Sequence, residues 1–482
     1  MRLLKQIRHI LLFFTLFLGK ELKAQDLYSF PNSYQWAINT GSDNPALLAH
    51  MRISEKMIQP LSEFETEIIL PFSFLTLFSQ NSTTRSYDLD FSQISDKAFP
   101  NNNFYLNAAL QWFSVVGKHS GVKWNFKIQD RILLGAGIED RFIDLINLGN
   151  KAFLGETVVL NFPFNAMHFR SYQFSWAKTL NKQFDFGITG KLYFGKSWID
   201  LDADISLYTH PSADYLRITA VGKGRASFPL TLEDILNNII STSDFSSYLF
   251  GVTNPGLGID VGMIYQMTPQ IQLSASINDL GFIFWNSNTT TFTANDTYTW
   301  TGIDLSGKFD FQQLGSLSEN STIISLRDTF LNRLIEPEDR HFLTMAPTTF
   351  NSAVVYKYDR NMWLAVRLRA LFHSHFIRDF FTASGGYTLT RKWQLVSGIT
   401  YSTPLLLSFP TGFNYQGRRL HIGLMLSNLL EVFVPARSKV FGGSLTISYR
   451  LAEERHDDSE YYPFYTKRNK HNLKLLIFQN SK

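Results

Sequence analysis

Along most of this chain apolar and polar residues alternate one by one. From Phe184 to Phe194 the even positions read Phe184, Phe186, Ile188, Gly190, Leu192 and Phe194, with Asp185, Gly187, Thr189, Lys191 and Tyr193 between them. The next run reverses parity, with Ile199, Leu201, Ala203, Ile205 and Leu207 apolar against Asp200, Asp202, Asp204 and Ser206. Val122, Trp124, Phe126 and Ile128 alternate with Lys123, Asn125, Lys127 and Gln129, and Ile271, Leu273, Ala275 and Ile277 do so with Gln272, Ser274, Ser276 and Asn278. Side chains alternate across a β-strand, so each run predicts a strand with one apolar and one wet face. A soluble sandwich alternates too, and one strand decides nothing. Repetition over some 400 residues favours an all-β fold, a single transmembrane antiparallel β-barrel whose apolar faces meet lipid.

About seventeen such runs are visible, beginning near Phe64, Phe104, Gly121, Glu156, Met167, Phe184, Trp198, Tyr215, Gly256, Ile271, Phe342, Met362, Phe380, Trp393, Pro404, Arg418 and Lys439. A closed bacterial barrel needs an even number, which sets the expectation at about 14 to 16 strands. Tight polar turns at Leu180-Asn181-Lys182, Thr268-Pro269, Asp359-Arg360-Asn361 and Thr390-Arg391-Lys392 are flanked by Trp176, Tyr265, Tyr356, Trp363, Tyr387 and Trp393. Short turns and aromatic belts mark the periplasmic rim of such barrels, so these six rings are the expected girdle. Ordinary hairpins with aromatic cross-strand pairs are the plainer alternative. Longer segments, Phe228 to Thr253, Asn286 to Phe292 and Leu314 to His341, fit extracellular loops, with helix-like patches at Leu232 to Ile240 and Ile324 to Ile335. Ile138 to Asn150 predicts a short amphipathic helix.

The ends differ from the body. Arg2, Lys5 and Arg8 precede an apolar run from Ile10 to Leu18, and Ala24 offers a small residue for cleavage, which is the layout of a secretory signal over residues 1–24. The run is too short to cross hydrocarbon as a helix. Residues 25–60 lack alternation and are expected as an N-terminal plug, 61–450 as the barrel, and 451–482 as a periplasmic tail. With 18% charged and 15% aromatic residues the chain is no disordered protein. A net charge of +4 gives no reason to expect nucleic acid, and the absence of cysteine excludes disulfides and thiolate metal sites.

Three stretches carry a resemblance. Asn44-Pro45-Ala46 resembles the hatch motif of long-chain fatty-acid-transporter-like outer-membrane barrels and of the shuttle barrels of the type IX secretion system. Together with Leu47, Asn254-Pro255-Gly256-Leu257-Gly258-Ile259-Asp260-Val261-Gly262 and Ser274-Ala275-Ser276-Ile277-Asn278-Asp279-Leu280-Gly281-Phe282, it is similar to an uncharacterised Bacteroidota-type barrel family of unknown function. The resemblance implies an outer-membrane barrel with an N-terminal plug, in which Asn44, Pro45 and Ala46 mark the hatch. It implies no activity.

Charged residues on the wet parity are candidates for a lumen lining. Arg367, Arg369, His373 and His375 share one parity opposite Val366, Leu368, Ala370 and Phe372, and must face inward, since Arg facing lipid at the midplane costs about 2–4 kcal/mol. The two histidines have no third ligand nearby in sequence, so no metal is expected. Asp200, Asp202 and Asp204 share a face with each other, and a two-residue turn at Gly195-Lys196 would set Lys191 opposite Asp200. Such ladders either knit the interior or tune which solutes pass. No Gly-x-Ser-x-Gly elbow or His-Glu-x-x-His helix is present, and His168 and Ser171 differ in parity, so no enzyme and no cofactor are expected.

The expectation is passage of small amphipathic or hydrophobic solutes through a plugged lumen. A non-conducting scaffold or shuttle for exported or surface proteins is the alternative, and a lipid-modifying enzyme a remote one. The partners implied are outer-membrane lipids, the barrel assembly machinery and, on the scaffold reading, a surface or periplasmic protein.

Overall fold

The computed structural model describes residues 44–50, 57–73, 78–80, 87–89, 102–228, 246, 248–300, 336–338 and 340–450, without 360, 375, 391, 403–405, 418–419 and 436–437. The expected signal segment, the tail, and the patches at Leu232 to Ile240 and Ile324 to Ile335 lie outside the described residues.

The wall is a ring of 14 antiparallel strands. In chain order they are β1 (Met57–Ile69), β2 (Asn102–His119), β3 (Val122–Ile138), β4 (Phe164–Thr179), β5 (Phe184–Thr209), β6 (Pro255–Gln266), β7 (Ile271–Trp285), β8 (Thr348–Lys357), β9 (Met362–His373), β10 (Phe376–Thr388), β11 (Trp393–Ser402), β12 (Thr411–Gln416), β13 (Leu420–Leu426) and β14 (Val440–Arg450). Each pairs with the next, and β14 closes on β1 from Met57 opposite Arg450 to Ile69 opposite Val440. Closure leaves no wall edge unpaired, which a hydrocarbon surround demands of β structure.

Alternation puts the two kinds of residue on opposite sides of this wall. On β9, Leu364, Val366, Leu368 and Phe372 are exposed, while Ala365, Arg367, Arg369 and His373 are buried. The same inversion of a soluble protein recurs on β6, where Leu257, Ile259, Val261, Met263 and Tyr265 are exposed and Asp260 is buried. Each large apolar side chain left in water would forgo about 1.5–3 kcal/mol, so a ring of them fixes the surround as lipid. No described helix is long and apolar enough to cross a membrane; the crossing is made by strands.

Three of the predicted runs leave the ring. The run from Trp198 is the upper half of β5, which continues unbroken for 26 residues. The runs near Glu156 and Tyr215 become strands Thr157–Asn161 and Leu216–Ser227, which pair with that upper half above the wall. Leu216–Ser227 in turn pairs with Thr289–Trp300, extending the sheet past β6 and β7. Gly195-Lys196 is therefore no turn but a bulge: His168 faces Ser197 while Phe169 faces Gly195. One extra residue shifts every later side chain to the other face, which is the parity reversal seen in the sequence. The predicted helix at Ile138 to Asn150 is observed as Asp140–Leu148.

Short connections lie at one end of the ring, including the turn at Ser120 and Gly121, and both wall termini open there. Most connections at the other end are longer, and there the helix Leu429–Phe433 joins β13 to β14.

Candidate functional site

The candidate site is the lumen, described from the short-turn end upward. Asn44 begins a 3-10 turn, Pro45–His50, inside the ring. Its Oδ1 accepts the Ala46 N–H at 2.9 Å, a local turn bond typical of Asn, and proline follows where its missing N–H costs nothing. The Asn44 Nδ2 donates to the carbonyls of Met263 and Ala275, both at 3.2 Å, tying this segment to β6 and β7. Leu48 is buried against Val116 and Ala177, and Lys123 Nζ donates to the Ala49 carbonyl at 2.7 Å. The turn approaches the wall so closely that a Cβ at Gly187 would strike the Pro45 backbone, and one at Gly262 the Asn44 side chain. Glycine stands at these two positions because nothing larger fits.

Midway up, charges cross the interior. Lys191 on β5 donates to Asp260 at 2.9 Å and to Asp279 at 2.7 Å. Arg131 on β3 reaches Asp279 at 3.1 Å, and the Tyr193 hydroxyl donates to the same carboxylate at 2.9 Å. Asp279 has φ 57°, a left-handed bulge residue whose own N–H donates to Asp260 Oδ1 at 2.7 Å. Two carboxylates thus share two cations and a phenol, largely out of water; such charges persist only when each is paired and hydrogen-bonded.

Toward the long-loop end the lining turns apolar. Phe169, Tyr193, Trp198, Ile283, Trp285, Leu371 and Phe380 are buried in one cluster with Tyr105 and Val440. Phe169 meets Tyr193 edge-on at 5.4 Å, and Trp198 lies 5.9 Å from both Trp285 and His373. The Arg378 guanidinium stacks over Tyr105 at 4.3 Å, joining β10 to β2 across the interior.

The residues singled out by sequence fall in different places. Lys191 is inside, but faces Asp260 and Asp279 rather than Asp200, because the bulge replaces the predicted turn. Asp200 is buried and holds Arg225 at 2.8 Å, Asn165 at 3.0 Å and Ser374 at 3.0 Å. Asp202 and Asp204 share its side of β5 but are exposed, on the stretch that rises past β6. Arg367 and Arg369 are buried on the inner face, Arg367 donating to Asn351 at 2.6 Å, and His373 is buried beside Trp198. His375 lies outside the described residues. Among the described residues no cluster of three metal-binding side chains is found.

Of the six girdle candidates, Trp176, Tyr265, Tyr356, Tyr387 and Trp393 are on the outer face near the short turns. Trp363 is not: it is 7% exposed, faces inward, and its ring lies over Gly386. It shares parity with Arg367, and one strand cannot turn both to opposite faces.

A further constellation escaped the sequence reading. Arg170 and Asp130 sit on the outer parity of β4 and β3, joined by two bonds of 2.7 Å. Beside them His168 Nδ1 lies 2.5 Å from the Tyr248 hydroxyl, which is 3.2 Å from Ser197 Oγ. Ser171 is on the opposite face, as parity requires; the serine facing His168 belongs to the neighbouring strand and is reached only through the bulge.

The ring, its lipid-facing wall and its filled interior define an outer-membrane-type β-barrel. The chain belongs to a family of unknown function, DUF5723, which matches residues 51–426. No curated protein matches it. Similar solved structures include a Pseudomonas aeruginosa FadL homologue (10% identity, covering 89% of this chain and 100% of that one, TM-score 0.44). The Pseudomonas putida toluene transporter TodX is similar at 12% identity, covering 88% and 94%, with TM-score 0.41. The Ralstonia pickettii toluene transporter TbuX is similar at 10% identity, covering 86% and 93%, with TM-score 0.39. The barrel assignment rests on the strand ring of this chain itself.

Proposed function

We propose that the barrel passes small amphipathic or hydrophobic solutes, and that the segment from Asn44 to His50 is the hatch regulating passage. The observation that carries this reading is the aromatic and aliphatic cluster of Phe169, Tyr193, Trp198, Ile283, Trp285, Leu371 and Phe380 inside the barrel, edged by the buried His373, Arg369 and Arg378. A channel for ions or sugars has a polar, water-filled interior; an apolar layer is favourable only to a solute that gains by leaving water. Beneath it the paired charges fix the interior, and the hatch seals the lower opening through three side-chain bonds and the Leu48 contact. The movable part is thus small and weakly held.

The test is flux in liposomes. Because β1 already begins at Met57, inside the span expected as plug, the deletion stops short of the wall: protein lacking residues 25–50 is compared with the full mature chain, using a membrane-impermeant amphipathic dye and a sugar of similar size. Faster dye entry without faster sugar entry supports the proposal. Equal entry of both through the truncated barrel refutes the apolar selectivity, and no entry of either refutes transport.

A further inference from the structure

We infer that residues Tyr248 to Asn254 form a strap lying on the outside of the barrel, immersed in the outer leaflet, with its polar side seated on a charged cluster of the wall. The inference is independent of whether the lumen conducts.

The outward orientation follows from neighbours. On β4, Phe174 and Trp176 are exposed and the intervening odd positions are buried, so Arg170 and His168 point outward; on β3, exposed Ile132 sets the same side for Asp130. Yet Arg170, His168 and Asp130 are all buried, so something covers them. Part of the cover is Trp112, whose indole N–H donates to Asp130 at 2.7 Å and whose ring lies 5.5 Å from the Arg170 guanidinium. Over His168 the cover is the strap, whose Tyr248 ring lies 5.3 Å from the imidazole.

The strap's polar contacts are made with β5, His168 and the adjoining strand ends. Tyr248 bonds His168 and Ser197; Lys196, the extra residue of the bulge, donates from Nζ to the carbonyls of Leu249 at 3.0 Å and Gly251 at 2.5 Å. Asn254, at φ 51°, donates to the Gly195 carbonyl at 3.2 Å and accepts from the backbone of Asn286 and Ser287. The Asn254-Pro255-Gly256 stretch is therefore the strap's anchor, a role its resemblance did not supply. On the other side stand Phe250, 70% exposed, and Val252, 66% exposed.

A segment with polar groups turned to the wall and apolar groups turned away is inverted relative to water. It matches the wall beside it, where Phe174 and Leu192 are exposed, and so continues the lipid-facing surface. Acyl chains are the occupant that this continuity selects. The strap also explains how an ion pair stands on the lipid side: an uncovered Arg there costs up to about 2–4 kcal/mol near the midplane, whereas here it is paired and roofed.

The chain has no cysteine, so single cysteine variants carry one nitroxide label each. Phe250→Cys and Val252→Cys are labelled in liposomes and compared with Leu192→Cys on the wall and Ser212→Cys on an exposed turn, with a gel mobility shift on heating to confirm folding. The expected result is collision with oxygen but not with an aqueous nickel chelate, as at Leu192→Cys. Nickel collision at the level of Ser212→Cys overturns the inference, and so does protection from both reagents, which means a protein surface covers the strap. Adding Tyr248→Phe to the Phe250→Cys protein is expected to raise nickel collision and label mobility. An unchanged spectrum overturns the role of the Tyr248 latch.

Discussion

Lys191 and Asp279 lie 88 residues apart in sequence and 2.7 Å apart in the barrel, with Asp260 and Arg131 completing the pairing. Removing one partner strands a buried charge, which costs about 3–5 kcal/mol, while replacing the set by apolar groups costs much less. Asp279→Asn keeps a residue type that tolerates the left-handed backbone and removes only the charge. Its unfolding midpoint in denaturant is expected to fall by an amount matching that range. Arg131→Met in the same protein should return part of the loss, because Lys191 keeps Asp260 while Arg131 has lost its carboxylate, and strict additivity of the two changes would show that they do not interact.

Acidity should matter at the long-loop end. Burial pushes the Glu431 carboxyl from 4.5 up to about 7, partly offset by the Gly442 N–H that donates to it at 2.9 Å. A folded-state value above the unfolded one means that the ordered loop favours the proton. The stabilisation is whole below about 4.5 and is lost as pH rises through about 7. Proteolytic cleavage between Leu429 and Ser438 should therefore be faster at pH 8 than at pH 5, and Glu431→Gln should flatten that difference. Equal cleavage at both pH values in the unaltered protein would contradict the assignment.

What the sequence displayed was the wall. The alternation from Phe184 to Phe194 needs no partner to be read, because one strand carries its own two faces. Arg367 and Arg369 were placed by the cost of the opposite choice. What it hid depends on residues meeting across strands. The bulge at Lys196 looks like a turn, since both end an alternating run and restart it with reversed parity. Asp130 and Arg170 are unlike their outer neighbours in sequence, but only the Trp112 and Tyr248 contacts say why that is allowed. Trp363 was misplaced by proximity to a turn, although its parity with Arg367 already pointed inward.

Trp363 and Trp393 supply a spectroscopic check on orientation. Trp393 is on the outer face, 4.8 Å from the Tyr415 ring, while Trp363 is buried with Val355, Ala365 and Val396. In liposomes of brominated phospholipid, Trp393→Phe should reduce the quenchable part of the tryptophan emission. Trp363→Phe should leave it unchanged and instead lower stability, by up to a few kcal/mol for the cavity it opens. Equal loss of quenching in both variants would place Trp363 against lipid.

If the segment from Asn44 to His50 is the hatch proposed above, it can be loosened at a single residue. Asn44 holds two wall carbonyls and organises its own turn, so Asn44→Ala removes both long-range bonds and the local one. Each bond contributes about 0.5–1.5 kcal/mol net, and loss of the two long-range bonds of Asn44 should raise the open population by roughly five- to 150-fold, the Lys123 bond to Ala49 remaining. Gly262→Ala acts from the wall side, by pushing a Cβ into the Asn44 side chain. Both variants should speed dye entry into liposomes toward that of the barrel lacking residues 25–50. Combining Gly262→Ala with the truncation should add nothing, since the Asn44 side chain that its Cβ would strike is then absent. If Asn44→Ala leaves entry at the level of the unaltered protein while the truncation raises it, the seal lies in another part of the N-terminal segment and Asn44 serves only the turn.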